Sequence, residues 1–191
     1  MEQLILDECH FKQFSPQLKS ELEKYKNLIY LSLNDCQLKS LDNFPNLPNL
    51  VKLDLLDNNL SGESLSKIAS QQSLQQLALG GNPIKTLEEV KVLSKLRELK
   101  EVDFIQCPVS ELPDYREKVY ELIDGLDILD NCDRDGNQVA DDDEVILFIR
   151  RTKTKTMKLT TMTMMKKRMV LFIYSEYEEE DEDEEDEDSE E

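Results

Sequence analysis

The stretch LVKLDLLDNNL, residues 50–60, decides the fold of this chain. Leucines stand at its positions one, four, six and eleven, and an asparagine stands at position nine. Three further stretches align with it without gaps: LIYLSLNDCQL from Leu28, LQQLALGGNPI from Leu74 and LKEVDFIQCPV from Leu99. A fifth copy, MEQLILDECHF, opens the sequence. Matches at fixed offsets in five copies predict a repeat architecture.

The pattern is that of leucine-rich repeats, in which each unit contributes one short strand. A single unit cannot bury its side chains at positions four and six, so neighbouring units must stack. We therefore predict an α/β fold: a right-handed horseshoe-shaped solenoid with a parallel β-sheet of five or six strands on its concave face.

Position nine of each unit is predicted to lie inside a turn, where its side chain bonds to backbone groups. Three of the four cysteines fall at this position, so a structural ladder explains them better than disulfides do. The predicted ladder residues are Cys9, Cys36, Asn58, Asn82 and Cys107.

Beyond the fifth unit, residues 115–123 have a helical pattern and residues 126–131, LDILDN, resemble a last, degenerate strand. Terminal repeats need such caps. We predict a repeat domain over residues 1–140, with its C-terminal cap at about 115–140. Residues 141–191 form a low-complexity tail that we predict to be disordered, with a basic block at 150–169 and an acidic run at 176–191.

The net charge of −19 is unevenly distributed. The balance is −13 over residues 1–149, +8 over residues 150–169 and −14 over residues 175–191. An acidic body with an acidic tail repels nucleic acids and anionic membranes and favours basic partners. The apolar runs are too short to span a bilayer, and the first residues lack the features of a signal peptide, so we expect an intracellular protein.

The sequence shows no recognisable set of catalytic residues. We find no Ser/His/Asp set, no phosphate-binding glycine loop and no metal-ligand spacing, and we expect neither enzymatic activity nor a cofactor. The loop NCDRDGNQVADD has a calcium-loop spacing at Asn131, Asp133, Asp135 and Gly136, but its positions eight and twelve depart from that motif. Calcium binding is therefore not our prediction.

Positions three, five and seven of each strand should project from the concave face, which is the usual binding surface of such solenoids. Acidic residues collect there toward the later repeats, beside apolar side chains that we expect to be exposed. This suits a basic ligand that also carries apolar groups, although a merely solvated sheet face is the alternative. The predicted partner-binding residues are Tyr30, Asp54, Leu56, Glu101, Asp103 and Ile105.

Several segments resemble the acidic leucine-rich nuclear phosphoprotein family. They are LDNFPNLPNLVKLDLLDNNLSG, LGGNPIKTLEEVKVLSKLRELKEVDFIQCPVSELPDYREKVYELI, the cap LDILDNCDRDG and the acidic tail. The resemblance covers residues 1 to about 140 and 176–191. It implies a monomer that shuttles between nucleus and cytoplasm, binds basic proteins such as histones in chromatin and transcription regulation, and inhibits a 2A-type protein phosphatase. A scaffold in a spliceosomal particle is a further alternative.

Two features depart from that family. Its members begin with a capping helix, whereas here Leu4 follows almost directly on Met1, so we expect an open, water-exposed end of the stack. That expectation predicts either a natural start upstream of Met1 or a less stable domain. The second departure is the basic block, which interrupts the acidic tail.

The basic block uses only Arg, Lys, Thr and Met, apart from Leu159. Asp and Glu codons all have the form GAN, and a run of them read one base late gives ANG codons, which encode only those four residues. The block is therefore either a frame-shifted acidic tract or a real basic segment, with KKR as a nuclear import signal or a strand folding back on the tail. The codons of the messenger distinguish these explanations.

Overall fold

The computed structural model describes residues 2–139 and, beyond them, residues 167, 169–171, 173 and 175. Within these residues the chain forms one sheet of six parallel strands in sequence order, so the predicted leucine-rich-repeat solenoid is confirmed. The strands are β1 (Gln3–Ile5), β2 (Tyr30–Ser32), β3 (Lys52–Asp54), β4 (Gln76–Ala78), β5 (Glu101–Asp103) and β6 (Ile128–Leu129).

The strands pair at the register that the repeat alignment predicts. Leu31 of β2 lies beside Leu53 of β3, and Leu53 lies beside Leu77 of β4. Residues three to five of every unit thus form the sheet, and residue four always faces the core. These position-four side chains are between 0% and 3% exposed, which fits stacking as the main source of stability.

Short helices return the chain from one strand to the next on the opposite side of the core. They are α1 (Pro16–Leu22), α2 (Gly62–Leu65), α3 (Leu87–Val90) and α4 (Tyr115–Leu122), with 3₁₀ turns at Lys91–Lys95 and Pro108–Glu111. The hydroxyl of Ser15 caps α1 by accepting a hydrogen bond from the Leu18 amide. Thr86 and Glu89 form a capping box at the start of α3.

The interior of the first repeats contains an aromatic column. Phe14 lies between Phe11 and Phe44, with edge-to-face ring pairs at centroid distances of 5.4 Å and 5.3 Å. Such pairs add to the free energy gained by burying the rings. All three rings are at most 7% exposed, so they form part of the buried core.

Side chains at position nine of the repeats bond to backbone groups, and the Cys9 thiol donates to the Asp7 carbonyl of its own repeat at 3.8 Å. The Asn82 Oδ1 accepts from the Leu60 amide at 3.0 Å, and its Nδ2 donates to the Leu55 and Leu79 carbonyls at 2.8 Å each. The Cys36 and Cys107 thiols donate to carbonyls of the preceding repeat, at 3.1 Å and 3.2 Å. Burial raises the pKa of Cys36 to about 12 and that of Cys107 to about 11, so both remain protonated donors at neutral pH.

Position eight of every repeat adopts a left-handed backbone conformation. Only the fourth repeat uses glycine there; the other four use residues with side chains, whose φ values lie between 51° and 62°. This conformation turns the chain out of the strand and toward the ladder residue that follows. The five residues are Glu8, Asp35, Asp57, Gly81 and Gln106.

The C-terminal cap closes the last repeat. Helix α4 ends one residue earlier than predicted, and β6 covers only two of the six predicted strand residues. Strand β6 is short because Asp130 and Asn131 both have positive φ, which ends the extended conformation. Val119, Ile123 and Leu129 are fully buried beneath this cap.

The N-terminal end differs from our expectation. Leu4 is 3% exposed and Leu6 is fully buried, so the expected open, water-exposed end is wrong for this structure. Residues 167, 169–171, 173 and 175 are helical, and Met169 and Ile173 belong to the same apolar core as the repeats. At these six positions the structure differs from the predicted disorder, and the remainder of residues 140–191, including the acidic run 176–191, lies outside the described residues.

Candidate functional site

The sheet register brings the predicted concave-face residues into rows. Position five of the last four strands reads Asp54, Ala78, Asp103 and Asp130, because Val102 pairs with Leu129 and places the next residues side by side. Asp130 was missed in the sequence analysis. Aligning LDILD with LKEVD would have revealed it as the position-five residue of a sixth unit.

Tyr30 and Asp54 form a pair on this face. The Tyr30 hydroxyl donates to Asp54 Oδ2 at 2.6 Å, and each residue is only 9% exposed. The expected exposure of Tyr30 is therefore wrong: the ring lies against the sheet because its hydroxyl reaches a carboxylate on the next strand. Burial and the neighbouring Asp54 raise the pKa of Tyr30, so it remains a neutral donor. The ammonium of Lys52 lies 5.5 Å from the Tyr30 ring centroid, within cation–π range.

Glu101 and Asp103 occupy the next part of the concave face. Gln76 Nε2 donates to the Glu101 carboxylate at 2.9 Å, which orients that side chain across two strands. Asp103 Oδ1 accepts from the Ile105 amide at 2.7 Å, while its other oxygen faces the gap above Gly80. Both acids are partly exposed, so they can meet a ligand without rearranging the sheet.

Two acids of this row have raised pKa values, and burial is the first cause for both. The pKa of Asp103 is raised, first by burial and then by the charges of Asp130 and Asp54. Burial also raises the pKa of Asp130, although its carboxylate accepts from the Phe104 amide at 2.8 Å. A positively charged ligand would relieve this repulsion, so the row has an electrostatic reason to bind cations.

The raised pKa of Asp103 predicts a pH-dependent effect on stability. When the pKa of an acid is higher in the folded chain than in the unfolded chain, its contribution to stability is complete below the unfolded-state pKa. That contribution is lost as the pH rises through the folded-state pKa. We expect Asp103→Asn to raise the thermal midpoint at pH 7, and this gain to shrink as the pH falls toward about 4, near the ordinary Asp pKa. Circular-dichroism melts at both pH values test this, and Glu98→Gln removes the same charge at an exposed site as a control. A gain that is equal at both pH values would contradict the explanation.

Gly80 brings the apolar and acidic parts of the face together. A β-carbon at Gly80 would lie 3.2 Å from Leu56 Cδ2, 3.2 Å from Asp103 Oδ2 and 2.9 Å from the Ile105 carbonyl oxygen. Glycine therefore leaves a shallow gap between these three residues. Leu56 is half-buried and Ile105 is 42% exposed, so the gap joins apolar surface to a carboxylate.

Asp7 is also acidic and concave, but its role is structural. Its Oδ1 accepts from the Ser32 hydroxyl at 2.5 Å and from the Asn34 amide at 2.9 Å. The carboxylate thereby ties the first repeat to the second. The partly exposed acids Glu101 and Asp103 both lie in the fifth repeat.

The loop with calcium-like spacing has its own internal bonds. Asp133 Oδ1 accepts from the Asn137 amide at 2.8 Å, and Asp133 Oδ2 accepts from Asn137 Nδ2 at 2.9 Å. Within residues 2–139 and the six later positions, no group of three or more His, Cys, Asp or Glu residues could hold a metal ion. In the same part of the chain, no helix is long and apolar enough to cross a bilayer.

These features define a leucine-rich-repeat module for protein–protein interaction: a sheet of parallel strands, buried Asn and Cys residues in the turns, and an open concave face. The family model described as Leucine-rich repeat matches residues 18–166. The chain therefore belongs to the leucine-rich repeat family.

Comparison with individual proteins extends this assignment. A protein of Tetrahymena thermophila that is named as a histone is 37% identical over 126 residues, a match that covers 66% of this chain and 32% of that protein. The chain thus spans about a third of the length of this curated relative. A chain of the Drosophila melanogaster SNF/U2A' complex matches with a TM-score of 0.56 and 25% identity, over 80% of this chain and 82% of that one. Internalin C2 of Listeria monocytogenes matches at 22% identity and a TM-score of 0.51, over 66% of this chain and 50% of the internalin chain. At this low identity the similarity shows a shared fold alone.

Proposed function

We propose that the concave face binds basic proteins, histones above all, and that the chain acts as a non-enzymatic histone-binding module. The observation that carries this proposal is the position-five row of carboxylates, in which the half-buried Asp103 lies beside Leu56 and Ile105. A lysine or arginine side chain can place its charge against Asp103 and its methylene groups against these apolar neighbours.

Three further observations support a basic partner. The net charge of −19 attracts such a partner over long distances. A curated relative is itself named a histone, which favours a role in chromatin. The resemblance to acidic leucine-rich nuclear phosphoproteins implies the same class of partner, together with a location in nucleus and cytoplasm.

The tail has a separate task in this proposal. Residues 1–140 provide the shaped surface, and residues 176–191 provide a dense negative charge that accelerates association. The protein works as a monomer and contacts neither nucleic acid nor membrane directly, because both carry the same sign of charge as the acidic surface.

The test replaces three concave-face acids with neutral residues of the same shape. We expect Asp54→Asn/Glu101→Gln/Asp103→Asn to weaken binding of core histones at low salt by about tenfold or more, since each lost charge pair contributes up to about 1 kcal/mol. The dependence of affinity on salt should also become shallower. Titration calorimetry at two salt concentrations measures both quantities.

A matched control separates the face from overall charge. Glu63→Gln/Glu88→Gln/Glu98→Gln changes the net charge equally, at exposed sites outside the sheet. We expect it to reduce affinity much less. Equal losses of histone affinity in the two triple variants would show that the attraction is non-specific. The proposal would be refuted if affinity were unchanged both in the concave-face variant and in a variant lacking residues 176–191.

A scaffold role is the second candidate. The similarity to a chain of the SNF/U2A' complex over 80% of this sequence favours it, because that chain is crystallised as part of an assembly. Co-purification of this protein with a ribonucleoprotein particle, and not with histones, would support the scaffold. Inhibition of a 2A-type phosphatase remains a prediction of the family resemblance, and a dose-dependent loss of phosphatase activity would test it.

A further inference from the structure

The first repeat has a buried interior although it stands at the end of the sheet. Strand β1 pairs only with β2, and no described element precedes it. An uncovered terminal repeat exposes one side of its core side chains to water. Leu6 is nevertheless fully buried, and Cys9 and Phe11 are 4% and 1% exposed. Something in this chain therefore covers that end.

The opposite end already has its own cover. Two guanidinium groups lie over the Tyr120 ring, with Arg116 5.8 Å and Arg134 4.8 Å from its centroid. Arg116 donates to the Leu129 and Asp133 carbonyls, so the turn after β6 is held closed. The last repeat thus needs no further segment to shield it.

Met169 and Ile173 have the arrangement of a capping face. They are four residues apart in helical conformation, so their side chains lie on the same side, and they are 4% and 0% exposed. Lys167 is exposed and Leu171 is 68% exposed, which is expected for the outer side of such a helix. The two buried residues belong to the same continuous core as Leu4 and Leu6.

We propose that the helical residues 167, 169–171, 173 and 175 cover the open end of the first repeat, as an N-terminal cap supplied from the C-terminal part of the chain. Each interior repeat is flanked on both sides by strands in register, whereas the first repeat is flanked on one side, so the geometry favours the first repeat as the seat. The cap supplies the apolar cover that Leu6 and Phe11 need. Of the two buried residues, Met169 belongs to the basic block and Ile173 lies beyond it.

A distance measurement on the full chain tests the seat of the helix. Leu171→Cys, made in a Cys132→Ser background, carries a nitroxide spin label at an exposed position that leaves the buried face intact. We expect the label to broaden the amide NMR signals of residues 3–11 strongly and to leave those of residues 126–132 unchanged. Broadening at residues 126–132, or at neither end, would overturn the proposal.

Hydrogen exchange measures the consequence of removing the cap. In Ile173→Asp, we expect exchange of the Leu6, Glu8 and Phe11 amides, which bond to β2 and its loop, to accelerate by about tenfold or more relative to the Asp127 and Ile128 amides. Leu171→Asp introduces the same charge on the outer side and should leave all of these rates unchanged. Equal acceleration at both ends would show a general loss of stability and would contradict the cap.

Discussion

Asn58→Ala is expected to lower the free energy of unfolding by about 3–5 kcal/mol, a large part of the stability of an ordinary domain. Asn58 is 3% exposed, and its Oδ1 accepts from the Cys36 and Leu38 amides at 3.1 Å and 2.9 Å. Alanine leaves both amides without a partner in a dry interior, where each costs about 1–3 kcal/mol. The same change removes the Nδ2 bonds to the Leu33 and Leu55 carbonyls, at 2.9 Å and 3.1 Å.

Urea unfolding followed by far-UV circular dichroism measures this loss, since the chain has no tryptophan to report on the core. Asn59→Ala is the matched control, because Asn59 is exposed and its side chain takes no part in the ladder. We expect Asn58→Cys to fall between the two variants, since a thiol at this position donates to a carbonyl but does not replace the amide acceptor. Equal stabilities of Asn58→Ala and Asn59→Ala would show that the ladder does not stabilise the solenoid.

Gly62→Ala is expected to cost about 2–4 kcal/mol, although it adds a single methyl group. A β-carbon at Gly62 would lie 2.1 Å from the Glu89 Cβ and 2.2 Å from its Cγ. These atoms cannot move without displacing the Glu89 carboxylate, which accepts from the Lys85 and Thr86 amides at 2.8 Å each. The methyl group therefore disrupts the capping box that begins α3.

The same urea assay tests this contact. Ser61→Ala is the control: Ser61 is exposed and its hydroxyl makes no capping bond, so the change should alter stability by less than about 0.5 kcal/mol. Repeating Gly62→Ala in a Glu89→Gly background should reduce its cost, because the colliding side chain is gone. If the cost stays the same in that background, the collision with Glu89 is not the cause.

The repeat pattern predicted the framework of the fold because the same physical requirement recurs in each unit. An aliphatic side chain at position four has to be buried in every copy, so a weak match in one copy is supported by the matches in the others. The ladder could be predicted for the same reason: Asn82 and Cys107 occupy equivalent turns and bond to equivalent carbonyls of the preceding repeat, those of Leu55 and Leu79.

The contacts within the site were less predictable, because each occurs once. Tyr30 stands at position three, where side chains are predicted to project from the concave face. Its hydroxyl nevertheless reaches Asp54 on the next strand, and the ring becomes buried. Spacing alone does not choose between water and a carboxylate as the partner of a phenol. Asp130 was missed because β6 is short and irregular, so its register is hard to read from the sequence. The burial of Met169 and Ile173 could not be predicted, since nothing in a low-complexity sequence indicates a distant docking site.

The order of the strands gives the molecule a characteristic mechanical behaviour. Each strand bonds only to the units before and after it in the sequence, so tension applied along the chain would act on one interface at a time. Successive units are 22 to 27 residues apart. Because an extended residue spans about 3.3–3.6 Å, each detached unit would lengthen the chain by about 80 Å. The domain would thus yield in a series of similar steps, and the units that remain attached would keep their shape.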